Sequence, residues 1–422
     1  MRCERIEPAE SASATAAGLR ALIPSAESVA EAVWEIIAGV EARGDQAVLD
    51  YTRVLDADGA EPLPLRVDSA ELARAADALD PEVGAGLEQA IENVREVATA
   101  SLDAEAEHTV HLGTHTVRIE RVPVRRAAVY VPGGRAPYPS TVVMGAVPAQ
   151  VAAVPEIVVC SPPRSGGDID RVVLGACHLT GVSAVYRVGG AQAVAALALG
   201  TESIPAVDVI VGPGNLYVQE AKRQLSARVG IDGFAGPSDL MVVAEEGGDP
   251  ETLGLDMLAQ AEHGPGTLVI GVSPASELLD ALERLLVAGP DTGAVAALVR
   301  VADAESAVDI AEAFAPEHLQ LVGATVEQLA PRVRTAGCVF LGPASATAFG
   351  DYIAGSNHIL PTGGAARFAS ALAPRHFMRS TTEVRITDPG QLARAAAPLA
   401  RSEGFELHAR SMEARIRDNQ PG

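Results

Sequence analysis

The sequence predicts an α/β protein: two Rossmann-like parallel-sheet domains, with small helical segments at the N- and C-terminal ends. Three observations predict it. Short β-branched runs recur from residue 126 onward, nearly every run stops at a glycine or proline turn, and helical sequence follows most of them. Strands alternating with helices argue for a parallel sheet covered on both faces. The 422 residues leave room for two or three domains with large cores. Hydrophobic residues make up 48% of the chain but aromatics only 3%, so those cores must be built mostly from Val, Leu, Ile and Ala.

Residues 26–54 carry apolar positions at helical spacing and predict an amphipathic helix. The strand pattern then begins. "AAVYV" (127–131) runs into Pro-Gly-Gly, "EIVVC" (156–160) into Ser-Pro-Pro, "AVYRV" (184–188) into Gly-Gly and "VDVIV" (207–211) into "GPGN". Helical sequence such as "AQAVAALALG" and "NLYVQEAKRQLSAR" lies between and after them. From about residue 267 the alternation returns: "TLVIGV", "ALVRVA", "LQLVG" and "CVFLG" read as strands, with "ASELLDALERLLVAG", "AESAVDIAEAF" and "VEQLAPRVRTAG" as helices. Ligands of open α/β sheets sit beyond the carboxyl ends of the strands. The glycine turns at 132–134, 189–190 and 212–214 fall there.

Charge and cysteines narrow the partners. The chain has 32 basic and 55 acidic residues, a formal charge of −23. Nucleic acid and anionic membrane surfaces are poor partners for such a chain, whereas helix N-termini and glycine turns still bind small anions locally. Cys3, Cys160, Cys177 and Cys338 form no CxxC pair, which fits a reducing cytosol. The N-terminal stretch lacks the apolar core of a signal peptide, and no apolar run is long enough to span a bilayer. A cytoplasmic protein is expected.

Five motifs carry chemistry. "GPGNLYVQEAKR" (212–223) follows a strand and opens a helix, so its N–H groups could approach a pyrophosphate. Tyr217 occupies the third glycine position of GxGxxG, and by itself the motif is also a bare tight turn. "DPETLGLDMLAQAEHG" (249–264) reads as a helix capped by Asp249 and stopped at Gly264. Gln260 and His263, three apart, share one face and could give two ligands to one metal, or simply form a polar helix end. "FAPEHLQL" (314–321) sets Glu317 beside His318 at a helix-to-strand connection, either an acid–base pair or a solvated loop. "GDYIAGSNHILPTGG" (350–364) puts Asp351 and His358 on a glycine-rich, pliable segment. "SEGFELHARSMEARI" (402–416) reads as an amphipathic helix with Glu403 and His408, which could be surface charge. Four histidines thus stand beside carboxylate or amide partners, as a zinc site with an open position would need.

Taken together and in order, these motifs resemble the L-histidinol dehydrogenase family over nearly the whole chain. Further landmarks are "YVPGGRAPYPSTVVM" (130–144), "GGAQAVAALA" (189–198) and "AGPSD" (235–239). The resemblance implies NAD and one zinc per subunit, and oxidation of L-histidinol to L-histidine through L-histidinaldehyde, the last step of histidine biosynthesis. On matching positions it implies Gln260, His263, Asp351 and His408 as metal ligands, with manganese or cobalt as possible substitutes. It implies His318 as the general base and Glu317 as the residue that activates water on the aldehyde. Ser238, His358 and Glu403 would hold substrate together with His318 and the metal ligands, and Tyr130, Gln192 and Asn215 would contact NAD. It also implies a homodimer in which Glu403 and His408 serve the other subunit. The expected domains are an extension (1–24), a larger domain (25–129 with 239–371) holding metal and acid–base residues, an inserted NAD domain (130–238) and a dimerisation segment (372–422).

Two departures from the family pattern bear on substrate fit: Asp239 stands where the family commonly has Glu, and residues 371–384 follow the pattern loosely. Two alternatives remain. One is a paralogue oxidising another small alcohol such as a sulfonated diol, for which Arg135 and Arg367 are the nearby cations. The other is a non-catalytic nucleotide-binding protein.

Overall fold

The first strand, β1 (Arg2–Ile6), and helix α1 (Ala12–Arg20) open the chain, followed by α2 (Ala30–Arg43), α3 (Asp45–Leu55), α4 (Ser69–Asp77) and α5 (Pro81–Asp103). Strands β2 (His108–His111) and β3 (His115–Pro123) come next. An alternating run follows: β4 (Arg126–Tyr130), α6 (Pro139–Val151), β5 (Glu156–Ser161), α7 (Arg171–Leu179), β6 (Ala184–Arg187), α8 (Gly190–Leu199), β7 (Val209–Val211), α9 (Leu216–Leu225) and β8 (Gly230–Ile231). A second such run comprises β9 (Asp239–Ala244), α10 (Pro250–Ala261), β10 (Leu268–Ser273), α11 (Ser276–Ala288), β11 (Val295–Arg300), α12 (Ala304–Phe314), β12 (His318–Val322), α13 (Ala324–Gln328), β13 (Cys338–Leu341) and α14 (Thr347–Tyr352). The chain ends with β14 (Met378–Ile386), α15 (Pro389–Ser402) and α16 (Glu406–Glu413). This is a computed structural model, and it describes residues 1–23, 28–56, 59, 61–103, 108–133, 136–164, 167–233 and 236–416.

Two compact units emerge, Met1–Ser101 with Val124–Phe377, and Leu102–Pro123 with Met378–Gly422. The first holds two parallel sheets, of order β6-β5-β4-β7-β8 and β1-β11-β10-β9-β12-β13. In each, the first strand of the run lies centrally and the order reverses beside it, between β4 and β7 and between β9 and β12. The second unit is different. Its sheet, β14-β3-β2, is antiparallel, and α15 packs with α16.

The cores are aliphatic, as the composition requires. Ala128, Val158 and Ile210 of the five-stranded sheet pack with Val33, Ile36 and Val40 of α2 and with Val194 and Leu197 of α8. Each large aliphatic chain so buried contributes roughly 1.5–3 kcal/mol. The central strands are buried on both faces, which is why they read as continuous apolar runs.

Several expectations are corrected. The single helix expected over 26–54 is replaced by α2 and α3, because Gly44 breaks the run at φ +53. The N-terminal stretch is not a mere extension: β1 pairs in parallel with β11 and forms an edge of the six-stranded sheet. Helices α2 and α3, expected with the larger domain, pack instead on the five-stranded sheet through Val33, Ile36, Ala47 and Val48. The C-terminal segment is not only helical, since β14 runs through residues of the loosely patterned stretch. "VEQLAPRVRTAG" holds only the end of α13 and one 3-10 turn, with Pro331 inside that turn.

Candidate active site

Strands β9 and β12 lie side by side with His318 in register with Leu240, so the residues just before and at their starts meet. Glu317 and Asp239 clasp each other there. The Glu317 N–H donates to Asp239 Oδ1 at 2.7 Å, and the Asp239 N–H donates to Glu317 Oε2 at 3.1 Å. The Ser238 hydroxyl donates to the same Glu317 oxygen at 2.6 Å, and Gln260 Nε2 donates to Ser238 Oγ at 2.5 Å. A hydrogen-bonded chain thus runs from the last turn of α10 to the Glu317 carboxylate.

The connection into β12 is strained. Ala315 caps α12 in the left-handed region at φ 54, ψ 66, a conformation that costs a non-glycine residue about 1–2 kcal/mol. Arg20 of α1 braces it, donating to the Phe314 and Ala315 carbonyls, with its guanidinium 4.0 Å above the Phe314 ring and 3.9 Å from Asp239.

His318 lies between two carboxylates. Its Nε2 is 3.5 Å from Asp351 Oδ1, its Nδ1 3.8 Å from Glu317 Oε2, and its ring stacks on Phe340. That Nδ1 is buried without a hydrogen-bond partner. Burial acts to lower the imidazole, but Glu317, Asp351 and Asp239 outweigh it and raise it to about 9. Glu317 is raised, by burial, against the pull of His318 and Ser238. Asp239 is raised to about 7, first by burial and then by Glu317. Burial also acts to raise Asp351, yet its hydrogen bond with His318, and then His358 and His263 nearby, hold it below the ordinary range.

Asp351 is in the last turn of α14, so the glycine-rich segment carries it on a short helix rather than on a loop. His358, seven residues on, meets the Asp351 carbonyl through Nδ1 at 2.8 Å and Thr141 Oγ1 of α6 through Nε2 at 3.2 Å. Burial lowers it, against the pull of Asp351. Both ring nitrogens therefore contact protein, and the ring holds Asp351 in place. His263 lies in the turn after α10, not within it, because α10 ends at Ala261; its Nδ1 donates to the Gln260 carbonyl at 2.9 Å. Such a bond to a backbone carbonyl orients metal-ligating imidazoles.

Ser238, Gln260, His263, Glu317, His318, Asp351 and His358 therefore gather in one place. Among the described residues no three His, Cys, Asp or Glu side chains form a metal cluster. The expected ligand set nevertheless fits a zinc-type cation in its chemistry: an amide, an imidazole oriented through Nδ1, and a carboxylate kept ionised. The remaining expected ligand, His408, belongs to the second unit, on α16. Glu403 ends α15, and Gly404 separates the two helices, so 402–416 is not one helix. His408 is exposed and its ring meets that of Phe405.

The expected cofactor contacts stand at the five-stranded sheet. Tyr130 ends β4, and its hydroxyl accepts the Gly190 N–H at 3.1 Å. Gln192, wholly buried in the first turn of α8, donates to Asp56 at 3.0 Å and keeps its Oε1 without a partner. Asn215 caps α9 through the Val218 N–H. Asp56, Thr141 and Arg20 escape a reading of the sequence: the first lies 136 residues from Gln192, and the others are equally remote from their partners. Asp239, which the sequence connects only with substrate fit, holds the Glu317 N–H. Arg135 falls outside the described residues, and Arg367 donates to the Gly364 carbonyl.

The family model for histidinol dehydrogenase matches residues 23–416. The chain is 43% identical over 398 residues to a histidinol dehydrogenase of Parasynechococcus marenigrum, covering 90% of each. It is 41% identical over 411 residues to one of Pseudomonas aeruginosa, covering 94% of this chain and 93% of that one. Its fold is similar to the crystal structure of histidinol dehydrogenase from Elizabethkingia anophelis, with a TM-score of 0.89, 29% identity and 98% of each chain covered.

Proposed function

Since the chain belongs to the histidinol dehydrogenase family, we propose how its own residues divide the work of that reaction. The protein is an NAD-dependent dehydrogenase of histidine biosynthesis and oxidises L-histidinol to L-histidine by way of L-histidinaldehyde. When bound, zinc supplies a fixed positive charge that orients the substrate, and two molecules of NAD, one per oxidation, supply the hydride acceptors.

Gln260, His263 and Asp351, with His408 of the partner subunit, would hold the metal. Manganese or cobalt would be tolerated by the same oxygen and nitrogen donors. His318 takes the proton of the substrate hydroxyl. Its partnership with Asp351 and Glu317 orients the ring, and Asp351 supplies less of the charge that raises the imidazole once it serves as a ligand. Glu317, fixed by Ser238 and by the Asp239 N–H, takes a proton of the water that adds to the aldehyde while His318 returns its proton to the former carbonyl oxygen, and the hydrate then passes a hydroxyl proton to the neutral His318. Ser238, His358 and Glu403 would complete the substrate pocket, the last from the partner subunit. Tyr130, Gln192 and Asn215 would contact NAD.

The observation that carries this reading is the meeting of three separate segments, Glu317-His318, Asp351 and the stretch with Gln260 and His263. A dimer is supported by the second unit, whose Val384, Ile386, Leu399, Phe405 and Leu407 are all exposed in the single chain. Among the described residues no helix is long and apolar enough to cross a membrane, and a cytoplasmic enzyme is the proposed setting.

The test is the yield of NADH per L-histidinol consumed at limiting substrate. Two NADH per substrate, lost on chelation and restored by zinc, is the expected result. A yield that survives exhaustive chelation would contradict the metal assignment, and no NADH at all would contradict the substrate.

A further inference from the structure

The turn that follows β7 is gripped on both sides of one residue. Gly212 donates its N–H to Asp232 Oδ2 at 2.6 Å, and its carbonyl accepts from Lys222 Nζ at 2.6 Å. Lys222 Nζ and Asp232 Oδ1 are themselves 2.7 Å apart, so three groups close a ring of hydrogen bonds. The pair is buried: the Lys222 side chain is 1% exposed and that of Asp232 9%. Burying two charges costs several kcal/mol in desolvation, which their attraction need not recover. A purely apolar filling would serve stability as well, so the pair is explained better by what it holds.

What it holds is the segment Gly212-Pro213-Gly214-Asn215 that opens α9. Gly212 is at φ +113, and a Cβ there would come within 2.1 Å of the Tyr130 carbonyl. The ring therefore fixes a peptide whose neighbours, Tyr130 and Asn215, are both proposed NAD contacts. Lys222 reaches it from α9, and Asp232 from the residue after β8. The spacing 212, 222, 232 thus ties strand, helix and following strand into one fixed corner at the switch in strand order.

We propose that Lys222 and Asp232 are positioning residues for NAD: their buried pair preforms the Gly212 turn so that the Gly214 N–H and Asn215 meet the dinucleotide without reorganisation. This rests on the assignment of the NAD site to that turn. Rigid placement of this kind sets how much binding affinity survives the ordering of a loop.

Asp232→Asn and Lys222→Met each remove part of the ring. Calorimetric titration with NAD should give a dissociation constant raised roughly ten- to a hundredfold, with turnover at saturating NAD and the KM for L-histidinol changed by no more than about twofold. The control is Arg187→Met, which removes another buried cation of the same sheet, on β6, where Arg187 meets the partly exposed Asp168 and Glu71. It should lower the melting temperature and leave NAD affinity unchanged. Equal losses of NAD affinity in Arg187→Met and Asp232→Asn at matched melting temperature would overturn the proposal, as would unchanged affinity in Asp232→Asn. Hydrogen exchange on the native protein decides the matter even if the variants do not fold. The Gly212 amide should be protected before NAD is added, and protection that arises only with NAD would overturn the proposal. If the native protein binds no NAD, the cofactor assignment itself fails and this inference falls with it.

Discussion

The two parallel sheets of the first unit share one strand order but offer opposite edges to chemistry. In the five-stranded sheet the proposed cofactor contacts stand at the carboxyl ends, where Tyr130 ends β4, Gln192 lies in the helix that follows β6, and Asn215 opens α9 after β7. In the six-stranded sheet Asp239, Glu317 and His318 stand at the amino ends of β9 and β12, and Gln260 and His263 arrive there because α10 runs back antiparallel to β9. The carboxyl edge presents glycine turns and helix N-termini, which suit an anion through backbone N–H groups. The amino edge is reached from helix C-termini and their connections, and it gathers long ionisable side chains instead. One topology thus gives glycine turns at one edge and a cluster of ionisable side chains at the other.

This contrast predicts that damage at one edge leaves the other working. The largest effect is expected from His318→Asn, which should lower turnover roughly 10²–10⁴-fold with NAD affinity unchanged by calorimetry. A parallel loss of NAD binding would mean that the two edges are not separate. Glu317→Gln should slow the second oxidation about a hundredfold while sparing the first, so that rapid quench finds one NADH per active site and trapped aldehyde. In the other direction, Gly212→Ala puts a methyl group against the Tyr130 carbonyl. It should weaken NAD binding roughly tenfold or more and leave the zinc content, read by atomic emission, at the native value.

A smaller effect concerns pH. Asp239 is held up to about 7, so the folded chain keeps a proton that an unfolded chain releases near pH 4. The stabilising contribution of that proton is complete below about pH 4 and is lost as pH rises to about 7. Asp239→Asn has no such proton. In metal-free protein its melting temperature relative to native should climb by a few degrees between about pH 5 and about pH 8. A difference that stays flat across that range would show that Asp239 is ionised throughout.

The carboxyl edge was legible in the sequence, the amino edge much less so. Glycine turns after β-branched runs announce a cradle, because local backbone demands leave local marks. The acid–base cluster has no such mark. Glu317 and Asp239 lie 78 residues apart, His358 and Thr141 217 apart, and only the resemblance brought most of them together. β1 and β14 were missed for a similar reason: "RCERI" and "MRSTTEVRI" are edge strands, half exposed, and lack the apolar runs that reveal buried ones. The pairing of α2 and α3 with the five-stranded sheet depends on contacts more than 100 residues away, such as Gln224 Nε2 donating to the Ala30 carbonyl. The strained Ala315 was hidden because glycine, which usually marks such a cap, is absent there.

The most direct test of the two-edge account is a crystal structure of the protein grown with zinc and NAD, with the metal located by anomalous scattering at the zinc edge. The account predicts zinc among Gln260, His263 and Asp351 at the amino ends of the six-stranded sheet, and NAD over Tyr130, Gln192 and Asn215 at the carboxyl ends of the five-stranded one. Zinc or nicotinamide at the carboxyl ends of the six-stranded sheet would contradict it.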